Sequence, residues 1–311
     1  MRVATNTLPD MLVNQFNQLN TRQNRLQNQV ATGQRVQWAD DDPAAMQRAL
    51  NLQTATRATK QYGNNIDFLN QRATTSLTAV RGVQTVLDRA GEIATLADGT
   101  KSPQELSAYA TEVDQLIRQA VTSANSQDRG DYIFGGTRTG QPPFVLSEND
   151  AKEVTGVTYQ GNTDVPELEI AQGTTVSVQV PGANTTGTGP QGLLTDSRTG
   201  ADVFAHLISL RQHLAAGDTT AIAATDRAAL SKDEDNVLYH LANTGAVQAR
   251  LETASTATSS RVTELRQSLS QETDADLATT MVQLTTTQTA YRAALQSGAS
   301  LLNTSLMDYL R

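Results

Sequence analysis

His206, His213 and His240 are the only imidazoles in a chain that has no cysteine, so a metal centre or a nucleophile–base pair must draw on them or on carboxylates. His206 and His213 stand seven apart, close to one face of a helix, but no H-E-x-x-H spacing accompanies them. Solvated or partly packed imidazoles are the expectation for all three. Asp40, Asp41 and Asp42 could be taken for a metal cage; however, calcium loops need further spaced oxygens and a glycine, and Asp42 before Pro43 reads more simply as a helix cap. The run Asp233, Glu234, Asp235 reads as a solvated face. Tyr132 to Gly136 puts aromatics beside glycines, as a ligand pocket would, yet a strand entering a turn explains the same residues. There is no G-x-S-x-G elbow and no phosphate-binding glycine loop. No catalytic residue, cofactor or metal is predicted.

Composition narrows the class further. Aromatics are 4% of 311 residues and Trp38 is the single tryptophan, which argues against large compact cores. A mean hydropathy of -0.40 leaves Ala, Thr, Asn, Gln and Ser to fill long helices with narrow apolar stripes. The net charge of -8 repels phosphate backbones, and Arg22, Arg25, Arg35 and Arg48 are spread rather than clustered, so no nucleic-acid partner is expected. Met1 to Asp10 hold no basic n-region or apolar core, and no stretch approaches the roughly 20 apolar residues of a membrane span. A cleaved signal peptide and a membrane partner both lose support.

Element signals are clearest at helix starts. Asp42 and Pro43 predict a helix from about Pro43 in which Gly63 and Gly82 are tolerated; Ser102, Pro103 and Glu105 make a capping box for a second. From Asp131 the period changes to two: Tyr132 and Phe134, Val157 and Tyr159, Leu168 and Ile170, and Val176, Val178 and Val180 predict short strands. Pro181 to Gly192 is too poor in apolar groups to pack and is expected to be an exposed loop. Helical spacing returns near Asp202, with a cap at Asp218 and Thr219, a break near Gly245 and a final cap at Asp274. The fold class is mainly α with a small β-rich insert.

Both termini carry one seam. Leu12, Phe16, Leu19, Gln23, Leu26 and Val30 step by four and three, as do Leu277, Met281, Leu284, Gln288, Tyr291, Leu295, Gly298, Leu302 and Leu306 with one step to spare. Such stripes admit an internal antiparallel hairpin or assembly between chains. With the helix tips level, Gln23 lies nearly opposite Gln288, and a hydrogen bond there would set register. The seams are thin enough that the isolated chain is expected to have frayed ends, ordered when neighbours cover them.

Specific residues resemble a known family. Thr32-Gly33-Gln34-Arg35-Val36 followed by Ala39-Asp40-Asp41-Asp42-Pro43-Ala44-Ala45 is similar to the N-terminal signature of the flagellin superfamily, with Pro43 tilting the match towards its junction proteins. Asp131-Tyr132-Ile133-Phe134-Gly135-Gly136-Thr137, with Pro142-Pro143-Phe144, resembles the entry to the outer domain; Asp274-Ala275-Asp276-Leu277-Ala278 resembles the start of the C-terminal helix. The motif residues are Gly33, Arg35, Asp41, Asp42, Pro43, Tyr132, Phe134 and Gly136. The resemblance implies a long antiparallel coiled coil of the two terminal segments. It implies three domains: an inner one of 1–40 with 274–311, a helical rod of 41–130 with 201–273, and a β-rich outer domain at 131–200. It further implies a non-enzymatic adaptor ring at the hook–filament junction, with the hook-side junction protein (hook-associated protein one), flagellin, further copies of itself and a flagellar export chaperone as partners. Its location would be extracellular, after type III export. A flagellin-type filament subunit, an enzyme carried on the outer insert and an unrelated coiled-coil secretion protein are the alternatives.

Overall fold

The computed structural model describes the backbone of residues 7–309 and the side chains of residues 10–299. Expectations for the extreme ends, including the fraying of residues 1–6 and 310–311 and the packing of Leu302 and Leu306, lie outside the described residues.

Among the described residues, seven helices carry most of the chain. The first, α1 (Thr7–Thr32), stops where Gly33 takes a positive φ of 72°. Asp42 then accepts the Ala45 amide at 3.0 Å and starts α2 (Pro43–Leu96), 54 residues long despite Gly63, Gly82 and Gly91. The Ser102–Glu105 capping box opens α3 (Pro103–Ala124) as expected.

Nine short strands follow. Hairpins join β1 (Gln127–Asp128) to β2 (Asp131–Tyr132), β3 (Phe144–Glu148) to β4 (Val154–Tyr159), and β5 (Leu168–Ala171) to β6 (Thr174–Val176). β7 (Ala183–Asn184) pairs in parallel with β8 (Thr195–Asp196), which pairs antiparallel with β9 (Ala201–Asp202). Phe134, Val178 and Val180 were expected within strands and lie just outside them.

Asp202 caps α4 (Val203–Ala216), which closes on Gly217 in the left-handed conformation. The helix expected from Asp218 is only α5 (Thr219–Ala221), continued by a π turn (Ile222–Asp226) into α6 (Arg227–Thr273). The break expected at Gly245 does not occur. One mid-helix glycine costs about 1 kcal/mol, less than the packing on either side supplies. Asp276 starts α7 (Leu277–Tyr309), accepting the amides of Ala278 and Thr279.

The chain divides into two compact units, residues 1–58 with 260–311 and residues 59–259. These borders differ from 40/41 and 273/274 because the links at those points are bonded to each other within the first unit. In the second unit, the β segment shares one core with helices: Ile133, Phe134, Phe144, Val154, Leu193 and Leu194 pack with Val83, Ile93, Ile117, Leu207 and Leu210. A smaller cluster joins Ile66, Leu69 and Ala73 to Ile170, Val176, Val178 and Leu251. Each fully buried Leu, Ile or Phe contributes about 1.5–3 kcal/mol.

Candidate functional site

The feature with most to say about function is the pairing of α1 with α7. All six seam residues of α1 are covered: Leu26 is buried, and Leu12, Phe16, Leu19, Gln23 and Val30 are half-buried. Phe16 meets Tyr291 edge-on, with ring centroids 5.9 Å apart, and its ring lies 3.5 Å from where a Cβ on Gly298 would stand. The bridge between Gln34 and Asp274 makes the pair antiparallel.

On α7 the face turned to α1 is shifted by one residue from the expected stripe. Thr280 and Thr287 are buried, and Leu284, Gln288, Tyr291 and Ala294 are half-buried. Leu277, Met281 and Leu295 are 48%, 56% and 47% exposed, so they do not belong to the internal seam. The physical reason is backbone proximity: Thr280, Thr287, Ala294 and Gly298 are small, and the buried threonine hydroxyls are satisfied by donating to Asp276 and Gln283 carbonyls at 2.7 Å. Gln23 and Gln288 share no hydrogen bond. The pairings Phe16–Tyr291 and Gln34–Asp274 set them about one helical turn apart in level, roughly 5 Å. Register is held instead by the Phe16–Tyr291–Gly298 contact. Phe16→Ala is expected to lower the stability of this unit by about 2 kcal/mol, read from chemical denaturation followed by circular dichroism.

The motif between α1 and α2 is a latch. The amides of Arg35 and Val36 donate to Thr273 O at 2.7 and 3.2 Å, and Ala275 N donates to Gly33 O at 2.8 Å. The Arg35 guanidinium donates to Glu272 O at 2.8 Å and to Asp42 at 3.3 Å; Arg48 grips the Glu272 carboxylate through two bonds of 2.9 and 2.8 Å. Asp41 accepts the amides of Trp38 and Gln37, which lower its pKa, the Trp38 bond most. Asp42 is lowered chiefly by the Ala45 amide and then by Arg35. Gly33, Arg35, Asp41, Asp42 and Pro43 therefore come together as caps and clamps. This loop leaves the Trp38 side chain 66% exposed.

Tyr132, Phe134 and Gly136 lie in the other unit. Phe134 is core, and its carbonyl accepts the Tyr159 hydroxyl at 2.9 Å. Gly136 has a φ of 66°, and a Cβ there would come within 2.1 Å of Asn162 Oδ1. This is a turn packed on a core, as the strand-and-turn reading expected.

Three expectations for the polar residues need correction. Asp233 is fully buried, accepts the Asp202 amide at 2.8 Å and pairs with His206 at 2.8 Å; it is no solvated face. His240 is buried, donates from Nε2 to Gly192 O at 3.0 Å, and has its pKa lowered by burial. Residues 181–184 are buried rather than part of an exposed loop, whereas Thr185, Thr186 and Thr188–Pro190 are exposed. Polar bonds replace the missing apolar contacts: Asn184 donates to Thr188 O and Pro190 O, and Asn236 donates to Gly192 O and Leu193 O. Burial alone would raise Asp196, but Arg198 and the amides of Gly192 and Arg198 outweigh it and hold the carboxyl at about 2. Sequence spacing carried no signal for this network, since its members come from separate segments.

A cleft of about 520 Å³ lies between α3, α4 and the β3–β4 turn. Its Arg118 is already bonded to Asp114, Glu148 and the Lys152 carbonyl. Among the described residues, no three His, Asp or Glu side chains are grouped as a metal site would need.

Long terminal helices folded on each other, a clamped inter-helix loop and a small β-rich segment make an architecture similar to that of flagellin-type chains. Residues 3–139 match the bacterial flagellin N-terminal helical region. The chain is similar to flagellar hook-associated protein 3 of Escherichia coli, 27% identical over 288 residues, 90% of each chain. It is 30% identical to the Salmonella typhimurium protein of that name over 146 residues, 46% of each. The fold is also that of a putative flagellar hook-associated protein from Vibrio parahaemolyticus, with TM-score 0.63 and 23% identity, covering 75% of this chain and 100% of that one. For Bacillus cereus FlgL the TM-score is 0.56 at 21% identity, covering 71% and 99%.

Proposed function

We propose that this chain is a structural component of the bacterial flagellum that works at the hook–filament junction, as an adaptor ring between the hook-side junction protein and the flagellin filament. The observation that carries the reading is where apolar side chains remain open. Met11, Val13, Trp38, Leu50, Leu277, Met281, Val282 and Leu295 are all exposed on the unit built from the terminal segments. They fall on α1, the clamped loop, α2 and α7, so more than one neighbour is needed to cover them, as head-to-tail contacts in a ring provide. Further copies of this chain, hook-associated protein one and flagellin are the proposed occupants, with an export chaperone shielding the apolar faces before assembly. No helix of the described residues is long and apolar enough to cross a membrane; the proposed location is outside the cell.

The role is structural rather than enzymatic in this reading. His213, the residue on which a metal-hydrolase alternative would rest, has Nδ1 committed to Asp226 at 2.7 Å. A flagellin-type filament subunit is the nearest alternative, favoured by the N-terminal helical match. It predicts that the purified chain alone grows long tubes, whereas an adaptor does not.

Met281→Asp with Leu295→Asp tests the assignment. The pair is expected to reduce junction assembly at least tenfold in cells, counted as filaments per hook, while the isolated chain's stability shifts by no more than about 0.5 kcal/mol. Full filament counts from the variant would refute the proposed surface.

A further inference from the structure

Helix α4 faces the start of α6 through two equivalent rungs. His206 Nδ1 stands 2.8 Å from Asp233 Oδ2, and His213 Nδ1 stands 2.7 Å from Asp226 Oδ2. The histidines are seven apart and the aspartates are seven apart, in opposite order, as two antiparallel segments in register require. Both carboxylates are buried, while the imidazoles keep side-chain exposures of 24% and 32%, so water reaches the bases but not the acids.

Neither aspartate serves its histidine alone. Asp233 also accepts the amide of Asp202, the residue that ends β9 and caps α4. Asp226, the last residue of the π turn, also accepts the Ser209 hydroxyl at 2.9 Å. The charged groups around His206 are Asp233 and Lys232 from α6 and Asp202 from its own cap. Beside Asp226, the Arg227 guanidinium donates to Ala94 O at 2.9 Å, so His213 and Ser209 are the side chains bonded to that acid.

We propose that these two rungs form a latch operated by a proton on His206, holding α4 and the β9 entry against α6 while that imidazole is protonated and loosening that contact when it is not. A buried carboxylate opposite an imidazolium is compensated; opposite a neutral ring it keeps one hydrogen bond and loses its counter-charge. The titration of the first rung points the same way. His206 is raised above 6.5, mainly by Asp233, and Asp233 is raised by its burial, so the pair binds protons more tightly folded than unfolded. Stabilisation is complete below about pH 6.5 and is lost as pH rises through the raised folded value of His206. The second rung ends on the π turn, a helical irregularity of the kind frequent at functional sites.

Hydrogen exchange on the full-length chain at pH 6 and pH 8.5, corrected for intrinsic rates, tests the latch. Protection of amides in 202–216 and 227–236 is expected to fall about tenfold at the higher pH, with little change in α3. His206→Asn with His213→Asn keeps a neutral donor near each Nδ1 and removes the titration, so its protection should be nearly the same at both pH values. Each single variant should remove part of the effect if the double variant folds poorly. An unchanged pH effect in these variants, or a loss of protection spread evenly over the chain, would overturn the proposal.

Discussion

Removal of Leu302–Arg311 is expected to abolish junction assembly and to leave residues 59–259 folded. By sequence, Leu302 and Leu306 extend the apolar pattern of α7, and the helix backbone itself continues to Tyr309. At about 1.5–3 kcal/mol for each apolar side chain that a neighbour would bury, loss of the tip removes enough association energy to change occupancy by several orders of magnitude. The second unit has its own core, so its melting and circular dichroism should match those of the intact chain. Electron micrographs of cells carrying only the truncated chain should show hooks without filaments. Filaments of normal number and length on those hooks would refute both the tip's role and the junction assignment.

Gly192→Ala lowers the stability of the second unit by roughly 4 kcal/mol. A Cβ at this position would stand 2.1 Å from Thr195 O and 2.4 Å from Asn184 N, both backbone atoms that cannot rotate aside. Gly192 donates to Asp196 at 2.8 Å and accepts from Asn236 at 2.9 Å and His240 at 3.0 Å. Three bonds at about 1 kcal/mol each, with about 1 kcal/mol of strain, give the figure. Gly245→Ala is the control. A Cβ there meets nothing within 4 Å, so in mid-helix it should stabilise by about 1 kcal/mol. Denaturant titration of both variants decides the matter; equal effects would show that the polar network around Gly192 does not hold the 181–202 segment.

Much of the fold was legible beforehand because it rests on local signals. Asp42 before Pro43, and Ser102 with Pro103 and Glu105, satisfy free amides within four residues of themselves, so helix starts need no distant partner. The α1 seam was readable for a related reason: a 3-4 step places residues on one face whatever that face meets. On α7 two stripes share Leu284, Tyr291 and Gly298 and differ by one residue elsewhere, so periodicity alone does not say which of them meets α1. The stripe of Thr280, Thr287 and Ala294 turns inward, and Leu277, Met281 and Leu295 stay exposed on the helix.

The sequence by itself determined the main helix starts, through caps close in the chain, and the absence of thiol chemistry; the clamp of the loop after α1 takes its partners Glu272 and Thr273 from far along the chain. Only the tertiary structure decided which face of α7 turns inward, and that small threonines and a glycine outrank leucines where two backbones approach closely. Only it showed that Asp233, Asn236 and His240 are interior. Burial of a polar group depends on partners that come from distant segments, and no local period records them.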